Sequence, residues 1–183
     1  MKKPDHITEI FLQPGDFYFG DANTRIRTLL GSCVSITMWH PTRFIGGMCH
    51  YMLPYSNKKK VSPRQYKLDG RYAEEAVLMF FQEAVRHDTD PKKYVVKVFG
   101  GGSMFPDHKS KRNTVSSKSG NVENKLCTDV PCRNIEVIRL LSRQYGFHIA
   151  AENLGGDGHR QILFDIWSGD VWVRKPALHI LQE

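Results

Sequence analysis

The chain has 183 residues, 40% of them apolar and 25% charged, and a net charge of +7 from 26 Lys and Arg against 19 Asp and Glu. This suits one domain with a substantial core, spanning 1–183, and is short for two. No run of about 18 uncharged apolar residues occurs, and Met1-Lys2-Lys3-Pro4-Asp5-His6 has no apolar stretch behind it. Neither membrane insertion nor a signal peptide is expected, which leaves the cytoplasm as the expected compartment.

In chain order, Phe11, Leu12, Phe17, Tyr18 and Phe19 around Pro14-Gly15 predict short strands at a sheet edge. Arg25 to Leu30 is a further extended run, broken at Gly31-Ser32 where a kink costs little. Val34, Ile36 and Met38 alternate with Ser35, Thr37 and Trp39, predicting a strand with one buried face. His40-Pro41-Thr42-Arg43 is a turn. Ile45 to Leu53 is the returning strand, with Gly46-Gly47 marking a bulge or a close backbone approach. Residues 55 to 69 are polar and basic, a loop. Ala73, Ala76, Val77, Phe80, Phe81 and Ala84 recur at helical spacing within Gly70 to His87, an amphipathic helix.

Tyr94 to Phe99 is a strand entering Gly100-Gly101-Gly102-Ser103. Pro106 to Val130, rich in Ser, Lys, Asn and Asp, is expected to be an exposed excursion. Asp129 and Pro131 suit the start of a second helix with Ile135, Ile138, Leu141 and Tyr145 as its apolar stripe, stopped by Gly146. Phe147 to Ala151, Gln161 to Ile166 and Asp170 to Arg174 are strands, the last two joined as a hairpin at Ser168-Gly169-Asp170. The expected class is α+β, mixed or antiparallel sheets with two helices packed on them.

The basic excess gathers in Lys58-Lys59-Lys60, Lys92-Lys93 and Lys109 to Arg112. No nucleic-acid motif or aromatic ladder accompanies these clusters. Solvated loops rank first as their explanation, steering toward an acidic protein partner second, and nucleic acid a distant third. Cysteines stand at 33, 49, 127 and 132. They form no CxxC pair, their spacing suits zinc poorly, and a chain of this size without a leader does not need disulfides. GGGS at 100 to 103 lacks the Lys and the helix of a phosphate loop, and GGDGHR at 155 to 160 matches no dinucleotide fingerprint. No metal and no cofactor is expected.

Chemistry is best sought in a thiol with a neighbouring base. A thiolate is the reactive form of cysteine, and a histidine in reach can take its proton and later protonate a leaving group. Cys33 and His50 come back toward one another if their strands pair around Pro41. Cys49 should not share that site, because residues i and i+1 of a strand point to opposite faces.

The segment LLGSCVSITMWHP…GGMCHYMLP resembles the signature of the CheD family, chemoreceptor glutamine deamidases. RYAEEAV at 71 to 77, GGGSMF at 100 to 105, RNIEVI at 133 to 138, the GG-x-GHR segment from Gly155 to Phe164 and the closing SGDVWVRK agree in order. The resemblance implies a cysteine hydrolase acting on protein glutamine through a thioester, with hydrolysis of glutamate methyl esters chemically close. It puts the nucleophile on Cys33, the general base on His50 and the third member on Thr28, with Thr24 as fallback. If His50 were not the base, His40, His148 and His159 come next. It also implies a layered αβ sandwich similar to the catalytic domain of cytotoxic necrotizing factor, and as partners the cytoplasmic helices of chemoreceptors and a CheC- or CheX-like phosphatase. A non-catalytic module binding that phosphatase is the alternative. Pro131, where the family usually has Gly, and the long excursion are departures that bear on docking more than on catalysis.

Overall fold

The computed structural model describes residues 2–57, 67–104 and 127–175. Within them run β1 Thr8–Leu12, β2 Phe17–Gly20, β3 Thr24–Leu30, β4 Val34–His40, β5 Ile45–Cys49, α1 Ala73–Arg86, β6 Val95–Gly100, α2 Val130–Tyr145, β7 Ile149–Leu154, β8 Arg160–Asp165 and β9 Asp170–Arg174, with a 3₁₀ turn at Pro91–Lys93. The strands build a four-stranded sheet of order β1-β3-β8-β9 and a five-stranded sheet of order β2-β5-β4-β6-β7. Both are mixed. β1–β3 and β6–β7 pair parallel, and β2–β5, β3–β8, β4–β5, β4–β6 and β8–β9 antiparallel. The class is α+β, and β1 and β2 lie at sheet edges as their composition predicts.

Side-chain alternation stacks these elements into three layers. Val34, Ile36, Met38, Cys49, Tyr51, Val96 and Val98 face one way and form a core with Ala76, Phe80, Val137, Ile138 and Leu141 of the two helices. Met48 and Phe99, on the opposite face of the same sheet, join Leu12, Ile26, Leu30, Ile162 and Phe164 of the smaller sheet in a second core, with Cys33 and Trp39 packed against it. Helices, five-stranded sheet and four-stranded sheet therefore stack in that order. The Trp39 indole N–H reaches across to the Ile166 carbonyl at 2.7 Å and ties the two sheets together.

Three expectations change in this setting. β4 is buried on both faces, Ser35 and Thr37 included, because it is sandwiched between helices and the second sheet. The buried face of α2 is Asn134, Val137, Ile138 and Leu141, so a polar residue sits in the stripe and Ile135 lies at its margin. Asp129 caps that helix by accepting from the Cys132 amide, and Val130 is already its first residue, so the excursion expected to run to Val130 ends earlier. The rest of it, and the Lys58–Lys60 and Lys109–Arg112 clusters, lie outside the described residues.

Cys127 and Cys132 form a disulfide, against the expectation that the chain would carry none. The turn into α2 brings their Cα atoms to 5.4 Å, inside the range a disulfide bridges. Gly146, with φ 70°, closes α2 as predicted. The turn at Gly155–Gly158 joins strands of different sheets, since β7 belongs to the larger and β8 to the smaller.

Candidate active site

Cys33 and His50 flank the β4–β5 hairpin on its open side. β4 and β5 pair with Thr37 opposite Met48, and the ladder is extended by a Val34–Tyr51 bridge with bonds of 3.1 and 2.9 Å. This register puts Ser35 opposite His50 and sets Cys33 diagonal to it on the same face, toward the smaller sheet. The expected strand from Ile45 to Leu53 is shorter, ending as β5 at Cys49. At His50 the pairing with the chain ahead of β2 slips by one residue: its N–H donates to Asp16 O at 2.9 Å and its C=O accepts from Gly15 N–H at 2.7 Å. Cys49 points the other way, fully buried against the helices, and that burial pushes its thiol up to about 12.

Thr28 arrives from the other sheet. β3 alternates buried and less buried residues, which turns Ile26, Thr28 and Leu30 inward. The Thr28 hydroxyl lies 2.8 Å from His50 Nδ1 and 2.8 Å from the Leu12 carbonyl. A carbonyl only accepts, so the single hydroxyl proton goes to Leu12, and Thr28 Oγ1 must accept from the imidazole. The relay runs Nδ1–H to Oγ1–H to Leu12 O. It fixes the tautomer with the proton on Nδ1, leaving Nε2 with its lone pair free. That Nε2 is buried and has no hydrogen-bond partner among the described residues. Thr24, the fallback, sits four residues back along β3, about 13 Å away, where it bonds Asp21.

Burial dominates the titration of both groups. His50, 2% exposed, is pushed down to about 4, with the Leu12 carbonyl and Asp16 opposing the shift. Cys33 is half-buried, and burial pushes its thiol up against a smaller opposing effect of the Ser32 hydroxyl bonded to it. The resting pair is therefore a neutral thiol and a neutral imidazole. His50 Nε2 has no hydrogen-bond partner among the described residues, so the contact between thiol and Nε2 is not made in this state; such bonds commonly tighten only around substrate.

The turn carrying Cys33 is held by its carbonyls. Gly31 O accepts from Gly102 N–H at 2.9 Å, Cys33 O from Gly101 N–H at 2.8 Å, and Ser32 O from Asn134 Nδ2 at 3.3 Å. Separately, no described backbone carbonyl accepts from the Ser32 or Cys33 amide. The glycines are needed for this approach: Gly100 has φ 116°, and a Cβ there would clash with Cys33 O. GGGS is thus a brace for the cysteine turn. Sequence reasoning missed Asn134, Leu12 and this role of Gly100–Gly102. The signals available were an Asn in an apolar helical stripe and three glycines directly after a strand.

Fold and site together define a three-layer α+β protein that encloses a cysteine, a histidine and a threonine between its sheets. The chain belongs to the CheD family. The family described as CheD chemotactic sensory transduction matches residues 52–175. A probable chemoreceptor glutamine deamidase CheD of Pseudomonas fluorescens strain SBW25 is 45% identical over 184 residues, covering 100% of this chain and 93% of that one. Proteins of the same description from Dechloromonas aromatica strain RCB and Leptospira interrogans are 42% and 40% identical, covering 94% and 95% of this chain. The family match begins after Cys33 and His50, whereas the full-length similarity to the Pseudomonas protein includes them. No described helix is long and apolar enough to cross a membrane.

Proposed function

We propose that this chain is a chemoreceptor glutamine deamidase of the cytoplasm, with Cys33 as nucleophile, His50 as general base and acid, and Thr28 as the residue that orients the imidazole. The observation that carries this reading is the relay from His50 Nδ1–H through the Thr28 hydroxyl to the Leu12 carbonyl, which leaves Nε2 unprotonated on the face it shares with Cys33. The similarity to proteins described as chemoreceptor glutamine deamidases supplies the substrate class.

The chemistry balances on these groups. Cys33 Sγ attacks the side-chain amide carbon of a glutamine as its proton passes to His50 Nε2. The developing oxyanion takes hydrogen bonds from the Ser32 and Cys33 amides, from which no described backbone carbonyl accepts. Collapse breaks the C–N bond, and the imidazolium gives its proton to departing ammonia, leaving a thioester. Water, losing a proton to Nε2, then attacks the thioester, releasing glutamate and the thiol. Thr28 and Leu12 hold the imidazolium that forms twice in each turnover. Each turnover adds one negative charge to a receptor helix, where like charges on packed neighbours repel. Glutamate methyl esters present the same carbonyl carbon and would follow the same path.

The test is mass spectrometry of cytoplasmic receptor fragments after incubation with the protein, with ammonia release followed in parallel. Conversion of particular glutamines to glutamate by wild type, and none by Cys33→Ala, is expected. Binding of a CheC- or CheX-like phosphatase without any ammonia release by the wild type would make the chain a docking module instead.

A further inference from the structure

Asn134 has no place in the chemistry above, yet it touches both segments that carry it. It is fully buried, five residues into α2, among Val137, Ile138 and Leu141. Asparagine is a poor helix-interior residue, and burying its amide among apolar side chains costs free energy unless its protons are used. Both are. Nδ2 donates to Ser32 O at 3.3 Å, next to Cys33, and to Met52 O at 2.8 Å, two residues beyond His50. The Tyr51 hydroxyl donates to the Asn134 backbone carbonyl at 2.7 Å, so the helix is tied to the histidine segment a second time.

The place of this contact in the sheet gives it its meaning. The β4–β5 ladder ends with the bridge at Val34 and Tyr51, and the next opposed pair is Cys33 and Met52. Those two residues face each other without exchanging bonds, as every second antiparallel pair does, and the following pair, Ser32 and Leu53, does not close because Leu53 N–H donates to Arg71 O at 3.0 Å and Leu53 O accepts from Ala73 N–H at 2.9 Å. Each end is bonded to other neighbours, Cys33 to Gly101, and Met52 and Leu53 to Arg71, so beyond Val34 and Tyr51 no described backbone bond joins the two ends where the thiol and the imidazole must meet. The Asn134 carboxamide spans the gap from the helix layer, on the face opposite to the one where Cys33 and His50 project.

We infer that Asn134 is a positioning residue: it clamps the strand ends at Ser32 and Met52 and thereby sets the separation of Cys33 from His50. The inference rests on the roles proposed above for those two side chains. It makes the N-terminal half of α2 part of the site's framework, so that a shift of this helix is transmitted to the thiol–imidazole separation with no contact between helix and substrate.

The experiment reads the coupling between the two groups directly. Alkylation of Cys33 by iodoacetamide at pH 7 is followed by mass spectrometry in wild type, His50→Ala, Asn134→Leu and Asn134→Leu/His50→Ala. Leucine is close to asparagine in shape and has no donors. In wild type, removing His50 should slow Cys33 by roughly 10-fold or more, the lower part of the general-base range. In the Asn134→Leu background the same removal should slow it by less than about 3-fold, because the imidazole is no longer held within reach of the thiol when the reagent arrives. Deamidation should show a fallen kcat with KM within about 3-fold of wild type, the pattern of a lost reaction geometry rather than lost binding. Tyr51→Phe, which removes one oxygen and keeps the ring, should weaken the coupling in the same direction and stands in if Asn134→Leu does not fold. An undiminished effect of His50→Ala in the variant backgrounds overturns the clamp alone. No effect of His50→Ala in wild type overturns the base assignment and the clamp with it.

Discussion

Thr28 is the residue at which position and chemistry meet, since its one hydroxyl proton determines which imidazole nitrogen is bare. Thr28→Val keeps the shape and removes the relay, so His50 loses both its tautomer preference and its orientation. Deamidation should fall roughly 10- to 1000-fold, the range for orienting and donor groups, while Thr28→Ser should retain most of the rate. A wild-type rate in Thr28→Val, measured as ammonia release, would remove Thr28 from the site. The same burial that hides Nε2 places the imidazole at about 4. If His50 is the base, kcat/KM should stay level from neutral pH down to about pH 5 and decline with a midpoint near 4. A midpoint near the ordinary imidazole value, about 6.5, measured where circular dichroism shows the protein still folded, would show that the titrating base is another group.

At the scale of the element, β5 decides which thiol is available. Met48 faces the second sheet and Cys49 the helices, so Cys49 is sealed beneath α1 and α2 while Cys33 stays half-exposed. At neutral pH, iodoacetamide should modify Cys33 in the native protein and leave Cys49 untouched until unfolding, as peptide mapping would show. Labelling of Cys49 at a comparable rate would mean that the helix layer opens readily. The glycine brace after β6 is the other element on which the site leans. Gly100→Ala introduces a Cβ at a φ of 116° against the Cys33 carbonyl. Backbone strain of this kind costs on the order of 1–3 kcal/mol, and its relief must displace either β6 or the cysteine turn. A lowered melting temperature together with a larger loss of deamidation than of stability is the expected outcome. Unchanged stability and activity would mean that the approach of Gly100 to Cys33 is not required.

For the molecule as a whole, the buried imidazole links stability to acidity. In the unfolded chain His50 has an ordinary pKa near 6.5, and in the folded protein it is held at about 4. Between these values the unfolded state binds more protons, so stability is complete above about pH 6.5 and falls as the pH drops toward 4. The full effect is on the order of 3 kcal/mol. His40, also pushed down by burial and by Arg43 and Lys93, contributes with the same sign. Urea unfolding of wild type should show a clear loss between pH 7 and pH 4.5, and His50→Asn a smaller one. Equal losses in the two proteins would exclude His50 as a source of the acid sensitivity.

The sequence alone determined what depends on local spacing. Period-two alternation marked β4, the 3.6-residue apolar rhythm marked α1, and Asp129, Pro131 and Gly146 bounded α2, because these signals are written within a few residues of the structure they produce. The opposite facing of Cys49 and His50 followed from the same alternation. What only the tertiary structure decided lies in contacts between distant segments. Thr28, Leu12 and His50 come from three elements in two sheets, and no spacing along the chain encodes their 2.8 Å bonds. Asn134 looked like an ordinary helix residue until two carbonyls 102 and 82 positions away were found on its amide. The protonation of the thiol was not legible either. A Cys-His pair suggests an ion pair, but the layers that enclose these two groups desolvate both, and desolvation favours their neutral forms.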